Sequence, residues 1–249
     1  MVDGSGGREP VRLAMWSGPR NISTAMMRSW ENRPDTVVVD EPLYPHFLAA
    51  TGIDHPGHDE VLAVGETDWR VVVDQLLGPI PPGAVVFFQK HMAHHLVPGM
   101  EHGWMRGLTN VLLIRDPGEV VASYVKSREQ VSADDIGLPQ QTMLYDEWTS
   151  WGMTPRVIDA ADFLGDPETY LRGLCDLVGV EFTDAMLAWP AGRRDTDGVW
   201  GPYWYDAVWA STGFASYRPR EVHLSGPPAR VAAECRPLYE QLHAARWTP

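Results

Sequence analysis

The stretch "RLAMWSGPRNISTAMM" (residues 12–27) runs from an apolar segment through a tight polar turn into the opening of a helix. A phosphate-binding loop is built this way, because the free amides at a helix N-terminus and the helix dipole both favour an anion. Pro19 and Arg20 lead into Asn21, Ile22, Ser23 and Thr24, so amides, two hydroxyls and a guanidinium converge. The stretch holds no lysine and one glycine. Serine and threonine also cap ordinary strand-to-helix turns, and the loop alone fits either reading.

Working outward, apolar runs of strand length recur at 13–16, 36–39, 84–89, 111–114 and 156–159. Between them lie segments of helical spacing at 23–30, 69–77, 117–126, 140–151, 167–178 and 228–246. Strands alternating with helices predict an α/β fold, with a P-loop-like central parallel sheet covered by helices on both faces. Asp116 before Pro117 is a strong helix start, an N-cap acid with proline at the first helical position. The stretch "TGIDHPGHDE" (51–60) reads as an exposed loop, and 189–209 is irregular and rich in tryptophan and glycine. Either irregular region suits a mobile flap over a ligand.

The chain has 249 residues, 44% of them apolar, enough for one core. The opening ten residues, short, polar and glycine-rich, predict a disordered start, with one domain over 11–249. A formal net charge of -13 repels nucleic acid and anionic membranes over most of the surface, so an anionic ligand needs a few placed cations. No apolar run approaches a membrane span, and of the two cysteines Cys175 lies in a helical pattern that fits a buried free thiol, which suits a cytoplasmic protein. No feature assigns an oligomeric state.

A second constellation is "LLIRDPGEVVASY" (112–124), where Arg115 leaves a strand and Ser123 lies two turns into the next helix. Both can meet a second anion at the carboxyl edge of the sheet, beside the first loop. Two separated phosphate sites suggest one doubly phosphorylated ligand. "TVVVDE" (36–41) imitates the acidic strand end that holds magnesium in P-loop kinases and ATPases, but the G-x-x-x-x-G-K-[ST] spacing is absent.

These motifs together resemble the sulfotransferases that use 3'-phosphoadenosine 5'-phosphosulfate (PAPS). Pro19 to Thr24 follow the family's 5'-phosphosulfate loop, P-[KR]-S-G-[ST]-T, with two departures. Arg115, Asp116, Pro117, Ser123 and Tyr124 match its 3'-phosphate motif in full. "ADFLGDPETYLRGLCDLVGV" (161–180) and "RRDTDGVWGPYW" (193–204) resemble two later motifs, the second bringing Arg193 and Arg194 into register as donor ligands. Ile22 stands where the family has glycine, and a β-branched residue rarely takes positive φ, so the loop must turn differently there. Asp195 replaces a second glycine, and Ala25 an aromatic residue.

The resemblance implies transfer of a sulfuryl group from PAPS to a hydroxyl or amine of an acceptor. The late tryptophans suggest that the acceptor is small and partly apolar. Arg20 is the candidate for charge stabilisation, with Lys90 in support. "FFQKHMAHHLVP" (87–98) resembles the family's K-T-H-L-P strand end, which makes His91 the first candidate for general base. Glu41, at the end of the second strand, is the other. His91, His94 and His95 lack a partner cysteine or acidic motif, so no metal is expected. A nucleotide kinase-like phosphotransferase and a sulfotransferase-like binding protein without turnover are the alternative readings.

Overall fold

The computed structural model describes residues 10–128, 130–219 and 221–249. The disorder expected at the start falls on residues 1–9, outside the described residues. Five strands, β1 (Val11–Ser17), β2 (Thr36–Asp40), β3 (Val86–Met92), β4 (Thr109–Ile114) and β5 (Arg156–Asp159), form one sheet in the order β2-β3-β1-β4-β5. All four pairings are parallel.

In chain order the helices begin with α1 (Ser23–Glu31), α2 (Tyr44–Thr51), α3 (His58–Val64), α4 (Trp69–Leu77), α5 (Pro117–Tyr124) and α6 (Ala133–Ile136). They continue with α7 (Leu138–Ser150), α8 (Ala160–Gly165), α9 (Pro167–Val178), α10 (Gly201–Trp204), α11 (Asp206–Trp209) and α12 (Gly226–Ala244). Strand parity sorts the side chains between two cores. Leu13, Met15, Phe88, Val111 and Leu113 pack with Met26, Met27 and Trp30 of α1 and Leu171 and Leu174 of α9. Ala14, Trp16, Leu112 and Ile114 face the other way, onto Val73 of α4, Val121 of α5, Trp148 of α7 and Cys235 of α12. A sheet apolar on both faces must be covered on both, which fixes the three layers.

Carboxylates start the helices that follow the later strands. Asp116 accepts from the amides of Gly118 (2.8 Å) and Glu119 (3.3 Å), with Pro117 in the first turn of α5. Asp159 does the same for α8, and Asp166 for α9. The connection leaving β1 runs to one side of the sheet and that leaving β3 to the other. A crevice therefore opens outside the carboxyl ends of these paired strands, where open α/β sheets take their ligands.

A third cluster closes one side of the crevice. Tyr44, Phe47 and Leu48 of α2 and Val61 of α3 pack against Trp200 and Tyr205 of the tryptophan-rich segment. The exposed loop expected over 51–60 is only partly realised. Thr51 ends α2, α3 begins at His58, and His55 is half-buried with its Nδ1 2.9 Å from the Tyr44 hydroxyl. The phenol and the ring contacts with Tyr44 and Phe47 draw this histidine inward.

Candidate functional site

A cavity of about 410 Å³ occupies the crevice. Its lining joins Pro19–Ala25 after β1, Glu41 after β2, Lys90 and Met92 of β3, Arg115 after β4, and Ser123 of α5. Tyr44, His55, His94, His95, Tyr124, Trp204, Tyr205, Val208 and Phe214 are among the other residues of its wall.

The β1–α1 loop turns at Arg20, whose φ is 54°, while Ile22 keeps φ at -92°. This is how the loop dispenses with the glycine: the left-handed residue lies two positions earlier. Asn21 fixes the turn, its Nδ2 donating to the Leu113 carbonyl (3.0 Å) and its Oδ1 accepting from the Ile22 amide (2.8 Å). Gly18 is needed for a close approach, because a Cβ there would lie 2.2 Å from the Ile136 carbonyl oxygen. Helix α1 then begins with no side chain capping it and no acidic residue in its first turn. Its leading amides, with the Ser23 and Thr24 side chains, form a donor set suited to an anion.

The two sequence clusters meet. Arg20 Nε donates to Ser123 Oγ (3.1 Å), and Arg115 Nη1 donates to the Arg20 carbonyl (3.0 Å). Arg115 also holds Glu119 Oε2 through Nε (3.0 Å) and Nη2 (2.7 Å), and Tyr217 donates to the other oxygen of Glu119 (2.7 Å). Glu119, on the helix that follows Arg115, thus occupies two of the guanidinium's donors.

At the other end of the cavity Lys90 is buried among acids. Its Nζ donates to Asp40 Oδ1 (2.8 Å) and to the Tyr205 hydroxyl (2.9 Å), and also contacts Glu41 Oε1. Asp40 and Glu41, the pair that imitates a magnesium-holding strand end, are thus both turned on a lysine. Burial is the largest influence on Glu41 and raises its pKa; Lys90 opposes and Asp40 adds to the rise. The same two carboxylates raise the pKa of Lys90 against its own desolvation, so the ammonium stays charged. Glu41 has φ of 42°. Arg20 and Glu41 are the non-glycine residues with positive φ among the described residues, and both lie at strand ends facing the cavity. Backbone strain of this kind gathers at functional sites.

His91 lies elsewhere. Neighbours on a strand face opposite ways, so Lys90 shares the α1 side with Phe88 while His91 turns to the other core. There it stacks on Trp16, with centroids 4.1 Å apart and planes 11° off parallel, and its Nε2 is 3.2 Å from Gln89 Oε1. Burial, then Lys90, lowers its pKa to about 3. It is not among the cavity-lining residues, and the expectation that it faces the acceptor space gives way to strand parity. Arg193 and Arg194 are also absent from the lining. Arg193 lies over the Trp209 ring at 4.3 Å, and Arg194 is tied through its amide to Asp197 (2.9 Å).

Sequence reasoning missed Tyr44, His55 and Tyr205 as cavity residues, while Tyr124 of the arginine–serine motif and Trp204 of the late tryptophans do line it. The ring of Tyr44 stacks on His95 with centroids 4.8 Å apart. Burial lowers the pKa of His55 and His94 to about 4 and that of His95 well below its ordinary value, so this wall is aromatic and uncharged. Only the clustering of late tryptophans hinted at it.

A parallel sheet, a turn with free helix-start amides after its first strand and an arginine–serine pair after its fourth thus meet at one crevice. The sulfotransferase domain family matches residues 11–240, and the chain belongs to that family. Among curated relatives, branched-chain-amino-acid aminotransferase-like protein 1 of Arabidopsis thaliana is 41% identical over 87% of this chain and 39% of its own length. Its counterpart, protein 2, is 36% identical over 91% of this chain and 40% of its own length. The chain spans about two-fifths of these relatives. Two solved structures share the fold. A sulfotransferase from Alicyclobacillus acidocaldarius has a TM-score of 0.53 at 13% identity, covering 97% of this chain and 98% of its own. The sulfotransferase domain of the curacin biosynthetic pathway has a TM-score of 0.51 at 15% identity, covering 92% and 99%. Among the described residues, no helix is long and apolar enough to cross a membrane.

Proposed function

We propose that this chain moves a sulfuryl group from PAPS to the hydroxyl or amine of a small, uncharged, partly apolar acceptor. One observation carries the reading: a single cavity holds the β1–α1 loop, Arg20, Arg115 and Ser123 together with Glu41 and Lys90. The donor supplies the sulfuryl sulfur and a phosphate as leaving group. The amides of Asn21 to Thr24 and the hydroxyls of Ser23 and Thr24 hold its 5' end, and Arg20 faces the charge that grows on the leaving oxygen. Arg115 and Ser123 hold the 3'-phosphate, which displaces Glu119 and Arg20 from them. Arg193 and Arg194, held by Trp209 and Asp197, take no part.

Glu41 accepts the proton of the attacking hydroxyl, and Lys90 fixes its orientation. The raised pKa of this carboxyl suits general-base work better than that of an ordinary acid does. The neutral wall of Tyr44, His55, His94, His95 and Trp204 offers an acceptor stacking surface and no cation for an acid group. Sulfuryl groups carry less charge than terminal phosphoryl groups, so positioning and fixed cations suffice without a metal.

Calorimetric titration with adenosine 3',5'-bisphosphate tests the reading. The wild type should bind it in preference to magnesium-ATP. Arg115→Ala and Ser123→Ala should each weaken binding about tenfold or more, the loss expected for a charged hydrogen bond. Equal affinity in all three proteins, or preference for magnesium-ATP, would sink it.

A further inference from the structure

Three groups crowd Lys90, and they are not equivalent. Asp40 is the better-held carboxylate: it accepts from Lys90 (2.8 Å), from the Tyr205 hydroxyl at Oδ2 (2.7 Å) and from the Gly198 amide (3.3 Å), with its side chain 2% exposed. Glu41 meets Lys90 and, more distantly, Tyr205 (3.4 Å), both at Oε1. Its Oε2 has His95 Nε2 at 3.9 Å, beyond a hydrogen bond, and the side chain is 12% exposed on the cavity. The one hydroxyl proton of Tyr205 goes to the nearer acid, Asp40, while its oxygen accepts from Lys90 and from Trp200 Nε1 (3.1 Å).

Two carboxylates and one ammonium leave one negative charge in excess where Lys90 and Asp40 are almost wholly buried. Burial disfavours that charge, so the acid with fewer donors is the one that takes up a proton more readily. We propose that Asp40, held by Tyr205, is a positioning residue that takes up the charge of Lys90 and so leaves Glu41 as the proton-exchanging acid of the site. This rests on the reading of Glu41 as the base that accepts the acceptor's proton. It adds Asp40 and Tyr205, neither of which touches the acceptor's reacting atom, as the groups that set its strength. The ionisable groups facing Glu41 are Lys90 from β3, Asp40 from β2, Tyr205 between α10 and α11, His95 after β3 and Tyr44 from α2. Arg20 and Arg115 line the same cavity.

The test is direct titration of Glu41 in the full chain labelled with carbon-13 at the glutamate carboxyl carbons, its signal assigned by its loss in Glu41→Gln. Asp40→Asn removes the competing charge, and the Glu41 midpoint should fall by about one unit, as for removal of a nearby like charge. Tyr205→Phe keeps the ring but takes from Asp40 the hydroxyl proton that it accepts, so Asp40 draws more of the charge of Lys90 away from Glu41, and the midpoint should rise. Shifts of opposite sign from two adjoining buried groups are not what a general loosening of the fold produces. An unmoved or raised midpoint in Asp40→Asn, or a lowered one in Tyr205→Phe, overturns the proposal. Should Asp40→Asn fail to fold, Tyr205→Phe decides alone. Transfer from sulfur-35-labelled PAPS to uncharged aliphatic alcohols, whose hydroxyls do not ionise unaided, examines the base separately: turnover kept by Glu41→Gln overturns that reading and leaves the titration result standing.

Discussion

Lowering the pH should unfold this protein through its buried imidazoles. His91 and His94 are held neutral by burial, with pKa values lowered from 6.5 to about 3 and about 4. For a base whose folded pKa is depressed, the unfolded chain takes up protons first. Stability is therefore full above about pH 6.5 and is lost as the pH falls towards 4. At pH 5 each group contributes a loss of about 2 kcal/mol, and the two together about 4 kcal/mol, a large part of a domain's usual 5–15 kcal/mol. His95 acts in the same direction. Glu41 and Asp159, with raised pKa values, act in the opposite one, because the folded form keeps their protons longer as the pH rises. A variant separates the contributions. Urea unfolding followed by tryptophan fluorescence at pH 7.5 and pH 5 should show His94→Gln losing about 2 kcal/mol less than the wild type between the two conditions. Equal losses in the two proteins would refute the placement of a neutral imidazole in this wall.

Other outcomes follow from single contacts. Asp197→Ala leaves the buried Arg28 with Glu31 alone and frees Trp209 Nε1, which now donates to Asp197 at 2.9 Å. It should cost about 3–5 kcal/mol in chemical denaturation and blunt the near-ultraviolet dichroism of the tryptophans. Gly18→Ala drives a methyl group into the Ile136 carbonyl and should cut affinity for adenosine 3',5'-bisphosphate while thermal denaturation shows a lowered midpoint. Glu41→Gln should be more stable than the wild type at pH 7, since ionising the buried acid is unfavourable in the folded state, and the gain should vanish below about pH 4.5, where the acid is protonated in both states.

The sheet was legible because its strands are short apolar runs separated by helices with their own signals: four of the five expected strands lie within observed ones, and the fifth, 84–89, overlaps β3, which begins two residues later and runs on to Met92. Helix α4 runs over Trp69–Leu77 and α9 over Pro167–Val178, as their spacing predicts, while α12 begins two residues early at Gly226 and carries Pro237 within it. The Arg20–Ser123 contact followed from two motifs far apart in the chain. What the motifs did not decide was direction. A strand-end pattern that brings lysine and histidine side by side says nothing of which one faces the ligand. The answer lay in the alternation of Phe88, Lys90 and Met92 against Gln89 and His91. Arg193 and Arg194 kept the register of a motif, but Trp209 and Asp197 hold them outside the cavity. Tyr205 and Tyr44 carried no local signal, since their roles come from partners 115 and 11 residues away.

The tryptophan-rich segment was a candidate flap, yet two buried groups outside it clasp it, Asp40 of β2 through Tyr205 and the Gly198 amide, and Arg28 of α1 through Asp197. A stretch riveted at both points travels with the sheet instead of swinging over it. Incoming molecules then meet an aperture of preset width, and enlarging it for bulkier guests calls for trimming Trp204 or Val208, not for loosening the chain that bears them.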